Sequence, residues 1–110
     1  MKILKLTVRD LLLSSDCIVF SYTQLSELDL DSVTGTKSDE RKAMRIFIAE
    51  SIINNIHRGL DFEVVLHCNA HQLNVLKSYV MQGGFWFHKE IARGNIDDVK
   101  RIENKIDMLL

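Results

Sequence analysis

Apolar and polar positions interleave along residues 60–67, where Leu60, Phe62, Val64 and Leu66 are separated by Asp61, Glu63 and His67. That two-residue period predicts a half-buried strand. Asn69 follows with Gln72 three residues on, the pairing of a helix capping box. Leu73, Leu76, Tyr79 and Val80 then recur at helical spacing and predict one apolar helix face. Gly83-Gly84 is expected to end that helix, and Phe85-Trp86-Phe87 to open a second strand reaching about Ala92.

The same reading extends to the rest of the chain. Leu4, Leu6 and Val8 alternate with Lys5, Thr7 and Arg9, which predicts a strand over residues 2–8. Residues 10–16 read as a loop or a single helical turn. Ile18, Val19, Phe20, Tyr22 and Thr23 give residues 17–24 a β-rich composition. Leu28 and Leu30 alternate with Glu27, Asp29 and Asp31, so residues 25–33 read as a further strand or a continuation of one long bent strand. Residues 38–58 form the longest predicted helix. Asp39 and Glu40 suit its first turn, and Arg58-Gly59 ends it with a cation and a left-handed cap. Its apolar residues, from Ala43 and Met44 to Ile56, cover more than half of the circumference, the pattern of a helix packed on two sides. Asn95 with Asp98 caps a last helix, whose Val99, Ile102, Ile106 and Leu109 form a narrow stripe at heptad spacing.

The predicted order is β-β-(β)-α-β-α-β-α. It implies a single α+β domain over residues 1–110, with a mixed, mainly antiparallel sheet and helices packed on it. At 110 residues the chain can bury one core with little to spare. A net charge of −1 argues against nucleic acid as a partner. Two cysteines, Cys17 and Cys68, form no disulfide framework and favour a reducing cytoplasm. Lys5, Arg9 and Asp10 break any apolar leader-like run, and no stretch approaches the roughly 20 apolar residues of a membrane span. No internal repeat is legible.

Val64-Val65-Leu66-His67-Cys68-Asn69, then Tyr79, then Gly84-Phe85, then Trp86-Phe87-His88, resembles the C-terminal half of the GNAT acetyltransferase fold. The likeness spans roughly residues 25–92, and the long helix stands where that family places its cofactor-binding helix. The resemblance implies acetyl-CoA as cofactor and Tyr79 as the general acid that protonates the departing thiolate. It also implies Lys37, Arg41 and Lys42 as holders of the pyrophosphate. The family's phosphate-binding turn is Gly-rich; here the corresponding segment runs Thr34-Gly35-Thr36-Lys37-Ser38-Asp39-Glu40-Arg41-Lys42-Ala43, with one glycine and two carboxylates.

His67-Cys68-x-x-His71 sits at a strand end and a helix start, where a thiol can be acidified. A cysteine phosphatase loop would need Arg six residues after the Cys, and position 74 is Asn. Zinc would need His57 as a fourth ligand, yet adjacent strand residues point to opposite faces, so Cys68 reads as a core residue and no metal is assigned. Asp29, Asp31, Gly35 and Glu40 only superficially track a calcium loop, because Val33 holds a ligand position. Lys37, Arg41, Lys42 and Arg45 are cations at the start of the long helix, where Asp39 and Glu40 partly cancel their field.

With no catalytic signature, the leading expectation is a small non-catalytic protein-binding or regulatory module. It would act through contacts with another protein or with itself, with no cofactor and no membrane. Its expected partner interface is the Val99, Ile102, Ile106, Leu109 stripe. The alternative is a small GNAT-like acyltransferase using acetyl-CoA.

Overall fold

The structure, a computed structural model, describes residues 1–28, 36–90 and 96–110, with side chains placed for residues 1–18, 39–81 and 96–110. Strand β1 (Lys2–Thr7) leads directly into helix α1 (Val8–Leu28). Helix α2 (Thr36–Asn55) follows, ending in a 3-10 turn (Ile56–Arg58). Strand β2 (Glu63–Cys68), helix α3 (Ala70–Glu90) and helix α4 (Ile96–Asp107) complete the chain. The fold is α+β: among the described residues, four helices pack on an antiparallel two-stranded sheet in which Leu4 stands opposite Leu66.

Both strands obey the alternation in their sequences. Leu4 and Leu6 on β1, and Val64, Leu66 and Cys68 on β2, are buried in one core. Gly59 takes φ 99° and ψ 160°, a region essentially reserved to glycine, and lets the chain turn from the 3-10 helix toward β2. The turn has a second use: the carbonyls of Leu60 and Phe62 accept from the first amides of α1, Arg9 N–H at 2.9 Å and Val8 N–H at 3.0 Å. Those amides would otherwise lack partners at a helix start.

Both helices that leave the sheet are capped alike. Asn69 Oδ1 accepts from Gln72 N–H at 2.7 Å while Gln72 Oε1 accepts from Asn69 N–H at 2.9 Å, the expected capping box. Thr7 Oγ1 accepts from Asp10 N–H at 3.1 Å while Asp10 Oδ2 accepts from Thr7 N–H at 3.4 Å, the same device at α1.

Several expected elements are overturned. Residues 10–16 and the β-rich run 17–24 belong to α1, which continues to Leu28. The buried positions Val8, Leu11, Ser14 and Ile18 follow the helical period, and the Thr7–Asp10 cap starts that period. Packing of an amphipathic face overrides the β-propensity of single residues. The strand expected to open at Phe85 is helical: α3 runs through Gly83-Gly84 to Glu90. A glycine inside a helix costs only about 1 kcal/mol, which a 21-residue packed helix tolerates. The last part of the 25–33 expectation, Gly35 and Asn95 lie outside the described residues. Among the described residues the sheet therefore has two strands, and the order is β-α-α-β-α-α.

That order is a repeat, contrary to the absence of one in the sequence. The units are β1-α1-α2 and β2-α3-α4, and antiparallel pairing of their strands relates them by an approximate two-fold near Leu4 and Leu66. A shift of 62 residues carries Thr7 onto Asn69, Asp10 onto Gln72, and buried Leu11 and Ile18 onto buried Leu73 and Val80. A shift of 58 residues carries buried Arg41, Met44 and Ile48 of α2 onto buried Val99, Ile102 and Ile106 of α4. Helix α1 packs on α3 at the centre, and each second helix also reaches across to the first helix of the other unit.

Candidate functional site

Two of the residues singled out in the sequence come together. The Arg41 guanidinium carbon on α2 lies 4.7 Å from the centroid of the Tyr79 ring on α3. This is cation–π distance. Both are interior, Arg41 4% exposed and Tyr79 7%. Tyr79 belongs to the helix face that Leu73, Leu76 and Val80 complete, so it reaches this place as a core residue. Of the cations at the start of the long helix, Arg41 is buried. Lys42 is exposed one position on, and with Ile18, Arg41 and Arg45 it lines a recess of about 120 Å³ between α1 and α2. The side chain of Lys37 lies outside the described residues.

The His67-Cys68-x-x-His71 cluster is split by the pleat. Cys68 points into the core and His67 out to solvent, as adjacent strand residues must. Burial pushes the Cys68 thiol up from its ordinary range, the opposite of an activated nucleophile. Cys17 is shifted further, to about 12, first by burial and then by the neighbouring carboxylates of Asp16 and Glu103. Among the described residues, no group of three His, Cys, Asp or Glu side chains is arranged to hold a metal ion. His71 instead faces Glu40 across the α2–α3 boundary, Nε2 to Oε1 at 3.3 Å.

The stripe on α4 turns inward. Val99, Ile102 and Ile106 are buried and Leu109 packs against the same core. It was expected as a partner interface; the chain's own β1, α1 and α3 occupy it. Its narrowness reflects a 12-residue helix lying against a small core rather than a coiled-coil seam. Arg101, on the same helix, donates from Nη2 to Asp10 Oδ1 at 2.8 Å and from Nη1 to Asp10 Oδ2 at 3.1 Å. It also reaches Asp98 Oδ1 at 3.0 Å. These bonds hold Arg101 above its usual pKa range. The sequence carried a signal for Asp10, since Thr7-x-x-Asp10 is a capping pattern, but none for its partner 91 residues away.

The long helix α2 is packed on one side only. Its outward face presents Ile46, 57% exposed, and Ile53, 71% exposed, two turns apart, with Ile56 just beyond. The position on α4 that corresponds to Ile46 is Asn104, which is exposed and polar. The fold therefore does not require an apolar residue there.

No family model, no curated protein and no solved structure matches the chain. No helix is long and apolar enough, among the described residues, to cross a membrane.

Proposed function

We propose that this chain is a small non-catalytic module that works by binding another protein, or itself, in a reducing cytoplasmic setting. The observation that carries the reading is the outward apolar ridge of α2, Ile46 and Ile53 at heptad spacing. The polar Asn104 at the matching position of α4 is the internal comparison that gives the ridge its meaning. Both cysteines are free and buried, which suits a reducing compartment.

A second reading, a GNAT-like acyltransferase, draws on the meeting of Arg41 and Tyr79. In that case Tyr79 would be the general acid, with Lys37, Arg41 and Lys42 toward the pyrophosphate of acetyl-CoA. A thermal shift with acetyl-CoA separates the two. The expected result is no change in Tm. A ligand at 100 times its Kd adds about 2.7 kcal/mol, several degrees for a domain of this size. A saturable rise that Lys42→Ala weakens would overturn the non-catalytic reading.

A further inference from the structure

The strand pair has two outer edges, and only one is guarded. Val8 N–H donates to the Phe62 carbonyl at 3.0 Å, in register with the Leu4–Leu66 pairing, so that bond continues the ladder. Bonded and non-bonded pairs alternate along an antiparallel ladder. Even-numbered residues of both strands therefore turn their amides and carbonyls inward, and odd-numbered ones turn them away from the neighbouring strand. On β1 outward groups are taken. The Lys5 carbonyl accepts from Lys105 Nζ at 3.2 Å, and Thr7 N–H donates to Asp10 Oδ2 at 3.4 Å. Lys2 Nζ also ties the start of the strand to the Leu109 carbonyl. Lysines along an edge are a common guard against an added strand.

On β2 the outward residues are Glu63, Val65 and His67, all exposed. Among the described residues no hydrogen bond reaches their amides or carbonyls, and no ion pair involves Glu63 or His67. The approximate two-fold identifies what is missing. The shift of 62 residues carries Lys5 onto His67, and the shift of 58 carries its donor Lys105 onto Phe47, which has nothing to donate. No lysine stands on β2, and Val65, 48% exposed, occupies the middle of the edge.

We propose that β2 pairs through this open edge with β2 of a second copy of the chain, antiparallel about Val65, to make a continuous sheet β1-β2-β2-β1. This pairing specifies the protein-binding reading above, on which it rests, as binding between copies. Glu63-Val64-Val65-Leu66-His67 is complementary to its own reverse. With Val65 opposite Val65 of the second copy, Glu63 faces His67 at both ends, and an imidazole N–H donates to a carboxylate. These are also the residues whose backbone groups point outward, so the register that matches the side chains pairs every open amide and carbonyl of the edge. A slide of two residues either way sets Val65 against Glu63 or against His67 instead. On the inner face Val64 meets Leu66 of the second copy, and apolar positions continue across the junction.

The test is sedimentation velocity on the full chain over a range of concentrations, with amide exchange followed by NMR. The expected result is a reversible dimer with micromolar Kd, in which the Val65 and His67 amides exchange more slowly as concentration rises. Val65→Lys sets like charges against each other at the centre of the junction and should weaken the dimer about tenfold or more, with circular dichroism unchanged. Glu63→Lys sets a cation against His67, and His67→Glu sets two carboxylates together. Each alone should weaken the dimer, and the two combined should restore it. A wild type that stays monomeric at millimolar concentration would overturn the proposal. So would a dimer that Val65→Lys and Glu63→Lys both leave intact, or single charge variants that the combination fails to rescue. A dimer kept in Val65→Lys but lost in Ile46→Asp with Ile53→Asp would move self-association to α2, so the β2 edge would fall while the protein-binding reading stood.

Discussion

Arg101, near the middle of α4, closes two hydrogen bonds on Asp10 in the first turn of α1, and Asp10 is only 1% exposed. The same carboxylate caps Thr7, so one side chain joins the end of β1, the start of α1 and the face of α4. The buried Ser14 hydroxyl adds a bond to the Asp10 carbonyl at 2.8 Å. Beside the β1–β2 ladder, this pair ties the two βαα units together through side chains that stand 91 residues apart in sequence.

Arg101→Ala should therefore destabilise the protein by about 2 kcal/mol. Removing one partner of a fully buried pair costs ~3–5 kcal/mol, but the Arg101 side chain is 44% exposed and solvent recovers part of the loss. Asp98→Ala, which breaks a mainly exposed contact within α4, should cost less than about 0.5 kcal/mol. Urea melts of both variants check the order; equal midpoints would mean that the Asp10 pairing contributes nothing.

Leu66→Ala should cost about 2–5 kcal/mol, because Leu66 is buried opposite Leu4 at the centre of the strand pair. Asp61→Ala removes only an exposed 3.5 Å contact with Arg9 and should change stability by less than about 0.5 kcal/mol. Comparable losses in denaturant unfolding would show that the register is not the one described.

What the sequence made legible were elements whose signals are local. The alternation of Leu4 and Leu6, the Asn69–Gln72 box, the Leu73, Leu76, Tyr79, Val80 face and the long helix all stand in the structure. Residues 17–24 misled because the helix that the Thr7–Asp10 cap starts continues through them, and β-propensity is a weak local preference. Gly83-Gly84 misled because glycine stops a helix only where the chain has to turn. The repeat was hidden because a two-fold needs matching burial rather than matching residues: Leu11 and Leu73 agree in identity, while Cys17 and Tyr79 agree only in being buried. The contact of Arg41 with Tyr79, like that of Arg101 with Asp10, depends on helix packing that no spacing encodes. The apolar stripe on α4 is legible in the sequence, but spacing does not say whether the surface it meets belongs to the same chain, as it does here.

The Cys17 thiol provides a pH-dependent term with a defined sign. Its pKa is raised from 9.0 to about 12 in the folded chain, so the folded state holds the proton more tightly. Below pH 9 both states are protonated and this group adds no pH dependence. As pH rises from 9 toward 12 the unfolded chain loses its proton first, and stability falls. Since other groups titrate in the same range, the measurement is a comparison: wild type should lose stability more steeply than Cys17→Ala across that window. Parallel curves would show that the thiol does not contribute.

The two helices that follow α1 and α3 should respond in opposite ways to the same substitution. Ile102 and Ile106 on α4 are fully buried, and an aspartate at either place puts an unpaired carboxylate into the core. Ile102→Asp should cost more than about 4 kcal/mol and leave the chain largely unfolded by circular dichroism. Ile46 and Ile53 on α2 face outward, so Ile46→Asp with Ile53→Asp should leave the circular dichroism and cooperative melting intact. The sharper contrast is in association. If the α2 ridge pairs copies of this chain, sedimentation of the wild type should show an oligomer that the α2 double variant lacks; if its partner is a different protein, both should sediment alike. An oligomer that survives in the double variant would place self-association on another surface. Unfolding of the α2 variant together with a folded Ile102→Asp variant would reverse the assignment of which helix faces out.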